Sequence, residues 1–436
     1  MSLCLQAYVP EMIETRRTIH RRPEVGWTEF ETTALVISRL RGMGYDVICG
    51  TRAIDPKAVL GRDEKEVQQA LERARQHGVQ PELLDEMEGY TGCVAVLKTG
   101  HPGPVLVFRH DMDALPVQEL TDASSGHLPA VQGFASEFKG RMHACGHDAH
   151  TAVGLAFARY LMDHRNQFCG TIKLLFQPAE EGTRGAAAMC ARGVVDDADW
   201  LFAGHMGTSA ATGELKIVTG GFLATTKFNV DFTGTPSHAG GNPEKGRSAL
   251  IAAANAAIML TAIPRTSQGD TRISVGRLDA GEGRNITPVH AHMECEVRGA
   301  SDAANRFMME RAEAVIKGCA MAQEVDFKIT RTGEACNLYT DDEAIGVMHR
   351  AASRVQGASV SDAVCVGSED FTILSRRVAE RGGHAGLFLM GCTHKGHHRP
   401  DFDVQDEVNL APGLETFIHI AEELCGLSAK QSQQGE

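Results

Sequence analysis

The stretch MHACGHDAH at positions 142–150 constrains this chain more than any other feature. Three histidines, one cysteine and one aspartate lie within these nine residues. Apolar cores contain few groups that titrate near neutral pH, whereas zinc or manganese is bound by imidazole and thiolate groups held close together. We therefore expect a fold in which this stretch lines a metal site.

Two adjacent carboxylates supply a candidate second half of that site. Glu180 and Glu181 follow an apolar segment at residues 171–176 that has the pattern of a buried strand. An exposed acidic turn would not need such a strand directly before it. Adjacent glutamates also suggest a division of roles, in which one carboxylate binds metal and its neighbour accepts a proton from water.

Strands and helices alternate through the first half of the chain. Strands are predicted at residues 45–49, 94–98, 105–109, 171–176 and 200–203, and helices at 11–20, 29–43, 148–162 and 185–192. This alternation predicts an α/β fold with a mainly parallel sheet and helices on both faces. Ligands of such sheets collect at the carboxyl ends of the strands. Asp111, Asp113, His205 and the glutamate pair all follow predicted strands, which favours a single site.

The pattern changes near residue 220. Four strands are predicted at 227–232, 272–278, 290–298 and 325–330, together with helices at 248–262 and 302–321. This set predicts a compact α+β domain inserted into the catalytic domain. We place the catalytic domain at residues 1–219 and 332–436 and the inserted domain at 220–331, which fits the length of 436 residues. A charged segment at about 51–90 is predicted to be a helical surface insertion.

Composition excludes several functional classes. The net charge of −13, without a cluster of lysines and arginines interleaved with aromatics, argues against nucleic-acid binding. The apolar stretch at 249–263 is too short to span a bilayer, and the first fifteen residues lack the pattern of a secretory signal. Twelve singly spread cysteines are typical of a reducing compartment. We expect a cytoplasmic protein that binds neither nucleic acid nor membrane.

Several candidate residues have alternatives that the sequence leaves open. Taken alone, Cys145 and His147 could be a buried thiol beside a structural histidine, and only convergence with the other candidates favours a metal role. His143 and His150 could simply form hydrogen bonds. The histidines at 394, 397 and 398 form either a surface cluster or a loop that completes the coordination shell.

Three aspartates are candidates for supporting roles. Asp113 could orient a ligand imidazole through a hydrogen bond, and Asp111 could do the same. Asp148 stands where it could cap the helix predicted at 148–162.

Six blocks of the sequence resemble those of a known family. They are MHACGHDAH, PAEEG, DMDALP, GHM at 204–206, SHA at 237–239 and GSEDF at 367–371. Together they run over nearly the whole chain and are similar to blocks of the M20 metallopeptidases, in particular the amidohydrolase branch that contains N-acyl-amino-acid and indoleacetyl-amino-acid hydrolases. The resemblance implies an amide hydrolase with two divalent metal ions, Mn²⁺ or Zn²⁺, whose inserted domain serves as a lid or dimerisation domain.

The same resemblance implies roles for individual residues. The implied metal ligands are Cys145, His147, Glu181, His205 and His398, the last preferred to His397 because the family places its ligand two residues before a proline, here Pro400. The implied general base is Glu180. His238 matches a histidine that stabilises the oxyanion in the partner subunit's site, and Asn285 and Arg298 match lid residues that hold the substrate carboxylate.

These implications give a functional expectation. We expect metal-dependent hydrolysis of the amide bond of an N-acyl or N-aroyl amino acid, with p-aminobenzoyl-glutamate as the favoured substrate, by a homodimer or by a heterodimer with a paralogous subunit. An N-acetyl, hippurate-like or indoleacetyl amino acid is the alternative substrate. Two further hypotheses are that the chain is active only together with its paralogue, and that Cys145 itself attacks the substrate.

Overall fold

The computed structural model describes residues 5–339 and 341–427. The chain divides into two compact units, the first comprising Met1–Gly220, Tyr339–Cys365 and Ile373–Glu436 and the second comprising Gly221–Leu338 and Val366–Thr372. The boundaries expected from the sequence were 219/220 and 331/332. The last nine residues of the expected segment 332–436 lie outside the described residues.

The described residues contain twelve β-strands and twelve α-helices. The strands are β1 (Asp46–Cys49), β2 (Cys93–Lys98), β3 (Val105–Asp111), β4 (Thr171–Gln177), β5 (Trp200–Met206), β6 (Glu214–Gly220), β7 (Ala224–Thr233), β8 (Thr271–Ala280), β9 (His290–Gly299), β10 (Asp326–Ala335), β11 (Ser359–Val364) and β12 (His384–Met390). The helices are α1 (Val9–Arg21), α2 (Phe30–Met43), α3 (Glu64–Gln76), α4 (Pro81–Glu86), α5 (Leu128–Val131), α6 (His147–Asp163), α7 (Gly185–Arg192), α8 (Ala249–Thr261), α9 (Asp302–Gln323), α10 (Asp342–Ser353), α11 (Phe371–Glu380) and α12 (Asp406–Cys425).

The first unit is built on an eight-stranded, mostly parallel sheet with the order β1-β2-β4-β3-β5-β12-β6-β11. The neighbouring strands β4, β3, β5 and β12 all run parallel, whereas β1, β2 and β6 each form antiparallel pairs. Strands β3, β5 and β12 are each buried at six of seven positions. Such continuous burial is typical of strands covered on both faces, and the predicted α/β class is confirmed.

Helices pack closely against this sheet. Helix α6 contacts β3, β4 and β5, helix α7 contacts β4, and α10 and α12 contact β12. The charged segment between β1 and β2 contains α3 and α4, as its helical pattern predicts. Among the helices of the described residues, none has both the length and the apolar character that crossing a membrane requires.

The second unit is an antiparallel sheet with two helices. Its strand order is β10-β7-β9-β8, and α8 and α9 pack against it. The core combines aromatic and aliphatic side chains of the sheet with alanine and larger aliphatic side chains of the helices; its members include Phe228, Val230, Phe232, Met293, Val297, Ala252, Ala256, Met308 and Ile316. The last strand, β10, extends to Ala335, which is beyond the expected boundary at 331.

Gly146 fixes the start of α6. It is the N-cap residue with a φ of 95°, and a Cβ atom there would lie 3.0 Å from Met206 Cβ and 3.3 Å from Val404 Cγ1. Only glycine adopts this conformation without strain. The expected cap by Asp148 is wrong, because the carboxylate of Asp148 lies inside the first turn and binds Arg16 and His20 instead.

Candidate metal centre

Four parallel strands end at the same edge of the large sheet, and each is followed by candidate site residues. Asp111 ends β3, the glutamate pair follows β4, and His205 lies at the end of β5. The loop after β12 carries His398. Because β12 pairs with β5 in parallel, this loop from late in the sequence returns to the edge where the earlier residues lie.

Cys145, His147 and His205 form one buried group of potential ligand atoms. The Sγ atom of Cys145 lies 3.6 Å from Nε2 of His205. The Nδ1 atom of His205 donates to the carbonyl of Met206 at 2.9 Å, and Nδ1 of His147 contacts the Asp113 carboxylate at 3.2 Å. In their neutral forms, both imidazoles therefore keep the Nε2 lone pair for another partner.

Cys145, Glu181 and His398 form a second group, which shares the sulfur of Cys145 with the first. Nε2 of His398 lies 3.3 Å from Oε1 of Glu181. The backbone N–H of His398 donates to the carbonyl of Ala144 at 2.8 Å. This bond joins the two loops that carry Cys145 and His398.

The spacing of these atoms suits divalent ions. Two ligands of one tetrahedral zinc ion lie about 3.6 Å apart for a sulfur–nitrogen pair and about 3.4 Å apart for a nitrogen–oxygen pair. The distances of 3.6 and 3.3 Å fall at these values. Nε2 of His147 and Oε1 of Glu181 are buried without a hydrogen-bond partner among the described residues. Because buried polar atoms are normally paired, the donor set fits a pair of metal ions.

Asp113 organises the glutamate turn. One of its oxygens accepts from the backbone N–H of Glu180 and the other from that of Glu181, each at 3.0 Å. The same carboxylate contacts His147, as the sequence predicts for an orienting partner. A single buried aspartate thus contacts the imidazole of His147 and fixes the backbone of both glutamates.

The backbone is strained on both sides of the site. Ala179, directly before Glu180, has a φ of 51°, and His398 has a φ of 61°. Left-handed backbone is unfavourable for residues with a Cβ atom and persists where the surroundings enforce it. At Ala179 the backbone N–H donates to the buried carboxylate of Glu29 at 2.7 Å.

His150 forms a further group of potential ligand atoms with His147 and Asp111, but hydrogen bonds engage both of its ring nitrogens. Its Nδ1 lies 2.5 Å from the Asp111 carboxylate, and its Nε2 accepts from the backbone N–H of Met206 at 2.8 Å. Both ring nitrogens are therefore occupied. His150 instead holds the end of β5, where His205 lies. Asp111 is paired with His150 and with Arg109 at 2.5 Å, and its closest approach to His147 is 3.9 Å.

The pKa values of His147, His205 and His398 are shifted in different directions. Close polar contacts with Cys145 and Glu181 raise the pKa of His398 to about 10. Burial opposes the charged form of His147, but the charge of Asp111 raises its pKa well above the usual value. Burial holds the pKa of His205 well below the usual value. A metal ion bound at His147 or His398 would therefore displace a proton.

His238 and Asn285 lie together in the second unit. The Ala239 N–H donates to the Asn285 carbonyl at 3.0 Å, and both side chains are exposed. Nδ1 of His238 accepts from the N–H groups of Gly240 and Gly241 at 3.2 and 2.9 Å. The proton of the neutral ring therefore resides on Nε2, which is left as a donor.

Arg298 lies elsewhere in the same unit. It is near the end of β9, where its guanidinium pairs with Glu296 at 3.0 Å. Asn285 precedes the start of that strand at His290. The eight residue steps from His290 to Arg298 form an extended chain that spans roughly 26 Å. Arg298 and Asn285 of one chain are therefore too far apart to bind the same substrate carboxylate.

Several residues that support the site could not be found from the sequence. Arg16 and His20 belong to the buried face of α1 together with Met12 and Ile19, and Glu29 is fully buried. The only signal in the sequence was the presence of charged residues at helical spacing on an apolar face. That pattern indicates buried partners but does not say which ones.

The chain is similar to known hydrolases over almost its whole length. Residues 107–423 match the sequence profile of peptidase family M20/M25/M40. The chain is 43% identical to indole-3-acetyl-aspartic acid hydrolase of Enterobacter agglomerans, over 95% of each chain. It is 41% identical to one of the subunits of the p-aminobenzoyl-glutamate hydrolase of Escherichia coli, over 96% of each chain.

Two solved structures share the fold. The crystal structure of an aminobenzoyl-glutamate utilization protein from Klebsiella pneumoniae matches with a TM-score of 0.82 and 40% identity, over 96% of each chain. A dinuclear metal binding peptidase of the M20 family from Bacillus subtilis matches with a TM-score of 0.65 and 25% identity, over 95% of this chain and 98% of the other.

Proposed function

This chain belongs to peptidase family M20/M25/M40, and we propose that it is a metal-dependent amidohydrolase that cleaves N-aroyl or N-acyl amino acids, with p-aminobenzoyl-glutamate as its favoured substrate. One observation carries the proposal. Two groups of potential ligand atoms meet at the sulfur of Cys145, and Glu180 lies beside them with its backbone fixed by Asp113.

Each group of ligand atoms is assigned one ion. Cys145, His147 and His205 would hold the first ion, and Cys145, Glu181 and His398 the second. Bound divalent ions would acidify water and polarise the amide carbonyl. Thiolate and imidazole ligands suit zinc better than magnesium, and the mixed set with a carboxylate also accommodates manganese.

Glu180 is the proposed general base. Its residue is 7% exposed, and one carboxylate oxygen lies 3.9 Å from Nε2 of His147, so it borders the ligands without belonging to either group built on Cys145. It takes a proton from water as the water oxygen attacks the amide carbon. It then gives this proton to the amide nitrogen as the carbon–nitrogen bond breaks, so that a carboxylic acid and a free amine leave.

Two relatives support the proposed substrate class. One acts on a conjugate of aspartic acid and the other on a conjugate of glutamate, and each acyl group is aromatic. We therefore propose an aromatic acyl group joined to an acidic amino acid. An indoleacetyl conjugate is the second candidate, supported by the 43% identity to the aspartic acid conjugate hydrolase.

We further propose that two chains complete each site. Nε2 of His238 would donate to the developing oxyanion, and Asn285 would bind substrate beside it. Arg298, at the other end of β9, would act from the other chain. Ile258 and Met259 on α8 are 68% and 52% exposed, and β8 is an edge strand. Apolar side chains beside an open sheet edge favour a subunit contact, formed by a second copy or a paralogous subunit.

The direct experiment supplies the purified chain alone with Mn²⁺ or Zn²⁺ and measures release of p-aminobenzoate from p-aminobenzoyl-glutamate. Indoleacetyl-aspartate, hippurate and an N-acetyl amino acid form the comparison panel. Turnover that chelation removes and metal restores supports the proposal. Turnover that survives chelation would favour direct attack by Cys145, and activity only after addition of a paralogous partner would favour an obligatory heterodimer. The expected cytoplasmic location stays a prediction.

A further inference from the structure

Arg16 is fully buried and is surrounded by carboxylates. Its guanidinium lies 2.7 Å from Asp148, 2.8 Å from Asp403 and 3.3 Å from Asp406, and the side chains of all three aspartates are at most 5% exposed. Charge-assisted contacts of this kind are strong and directional, because the planar guanidinium offers donors in a fixed geometry. Three segments of chain are thereby joined at one side chain.

These carboxylates belong to the segments that carry the proposed metal ligands. Asp148 directly follows His147 at the start of α6. Asp403 and Asp406 follow the loop of His398 and lead into α12. Arg16 itself lies on α1, which packs against both α6 and α12. The contacts of Arg16 therefore connect the loop at 145–147 to the chain just after His398.

Two further contacts show how closely these segments approach. The backbone N–H of His398 donates to the carbonyl of Ala144 at 2.8 Å. Val404, next to Asp403, lies so near Gly146 that a Cβ atom there would be 3.3 Å from Val404 Cγ1. The position of His398 relative to Cys145 thus depends on residues 403–406 being held in place.

We propose that Arg16 is a positioning residue that fixes the loop of His398 against Cys145 and thereby sets the affinity for the second ion, the one held by Cys145, Glu181 and His398. The inference rests on the proposed metal centre. It predicts that losing the contact between Arg16 and Asp403 lowers the affinity for the second ion but not for the first. The first ion depends on His147 and His205, which belong to α6 and β5, and these elements keep their places when the contact of Arg16 with Asp403 is lost.

Asp403→Asn tests the inference with little disturbance of the fold. It weakens the link from Arg16 to the chain after His398 while the contact of Arg16 with Asp148 stays intact. The matched control is Glu407→Gln, which removes one negative charge from the same region. Glu407 pairs with Arg17 at 2.9 Å, and its side chain is 62% exposed. Arg16→Lys is the second variant, which keeps the charge but loses the planar fork.

The measurement is a calorimetric titration of the metal-free full-length proteins with Zn²⁺, alongside urea unfolding. In Asp403→Asn, one of the two binding steps should lose 10- to 100-fold in affinity, as for other residues that orient metal ligands, while the other step changes less than twofold. Arg16→Lys, which also loses the planar contact with Asp148, should weaken at least the same step. Glu407→Gln should match the wild type. Equal affinities in wild type and Asp403→Asn, or equal loss at both steps, would overturn the inference. A wild-type protein that binds fewer than two ions would instead refute the metal centre itself.

Discussion

The sulfur of Cys145 lies 3.6 Å from Nε2 of His205, although 60 positions separate the two residues in the sequence. The ligand atoms of Cys145, Glu181 and His398 also lie within 4.8 Å of one another. A thiolate can bind two metal ions at once. A neutral buried thiol, by contrast, gains little stabilisation from the imidazoles and the carboxylate that surround it. Burial, followed by the charge of Glu181, raises the pKa of Cys145, and the positive charge of a bound metal ion would favour the thiolate.

Cys145→Ser should remove a spectroscopic signature of the centre. With Co²⁺ in place of the native ion, the wild type should show a sulfur-to-cobalt charge-transfer band in the near ultraviolet. This band should vanish in Cys145→Ser and persist in Cys190→Ser, a partly buried cysteine on α7. An unchanged band in Cys145→Ser would show that another cysteine binds the metal.

Asp113→Asn should weaken metal binding without unfolding the protein. The amide can accept only one of the two N–H groups from the glutamate turn and can no longer serve as an anionic partner of His147. We expect a 10- to 100-fold loss of metal affinity, measured by competition with a chromophoric chelator. Asp122→Asn, at an exposed position, is the control and should leave the affinity unchanged.

Substitutions of the two adjacent glutamates should have different effects on metal content and turnover. Glu180→Gln should keep both ions and lose turnover by a factor of about 10² to 10⁴, the usual contribution of a general base. Glu181→Gln should lose one ion. Metal content by atomic absorption and steady-state kinetics on the same preparations distinguish them. Retained turnover in Glu180→Gln would remove Glu180 from the mechanism.

His20 should make the stability depend on pH. Burial and Arg16 disfavour its charged form, but hydrogen bonds to Asp148 at 2.7 Å and Glu119 at 2.9 Å raise its pKa to about 9. The stabilisation is complete below the unfolded pKa of 6.5 and is lost as the pH rises through 9. A rise in the pKa of His20 from 6.5 to about 9 on folding corresponds to about 3 kcal/mol of folding stability.

Urea unfolding of the wild type and of His20→Gln at several pH values checks this expectation. The advantage of the wild type should be largest at about pH 6 and should shrink steadily towards about pH 9.5. An advantage that stays constant across this range would show that His20 is not charged in the folded protein.

His238 should act in a different subunit from the Glu180 it serves. His238→Ala should lower kcat while metal content stays normal, because its Nε2 is proposed to stabilise the oxyanion. When His238→Ala and Glu180→Gln are unfolded together and refolded, mixed dimers contain one site with both residues intact. Activity should therefore return to about a quarter of the wild-type value per chain. Mixtures that stay inactive would place His238 in its own chain's site or outside catalysis.

The α/β class could be predicted from the sequence because strands such as β3 and β4 are mostly apolar over their first six residues and alternate with helices. Strands β6, β11 and β12 were not predicted individually. They lie at the far side of the sheet, and β12 takes its place beside β5 from more than 170 residues away. Local patterns carry no information about such pairing.

The ligand candidates could be proposed because metal binding demands unusual residue types at close spacing, as in Cys145 and His147. The contacts that hold these candidate ligands in place could not be predicted from the sequence. Arg16 reaches Asp403 across 387 positions, and His150 was indistinguishable from a ligand until both of its nitrogens were seen to be occupied. Such roles are fixed by tertiary contacts that depend on the whole fold.

The most direct test of the metal centre is anomalous diffraction from crystals grown with Zn²⁺ or Mn²⁺. We predict two peaks per chain, both within bonding distance of Cys145 Sγ, with His147 and His205 on one and Glu181 and His398 on the other. A single peak, or peaks that exclude Cys145, would contradict the account.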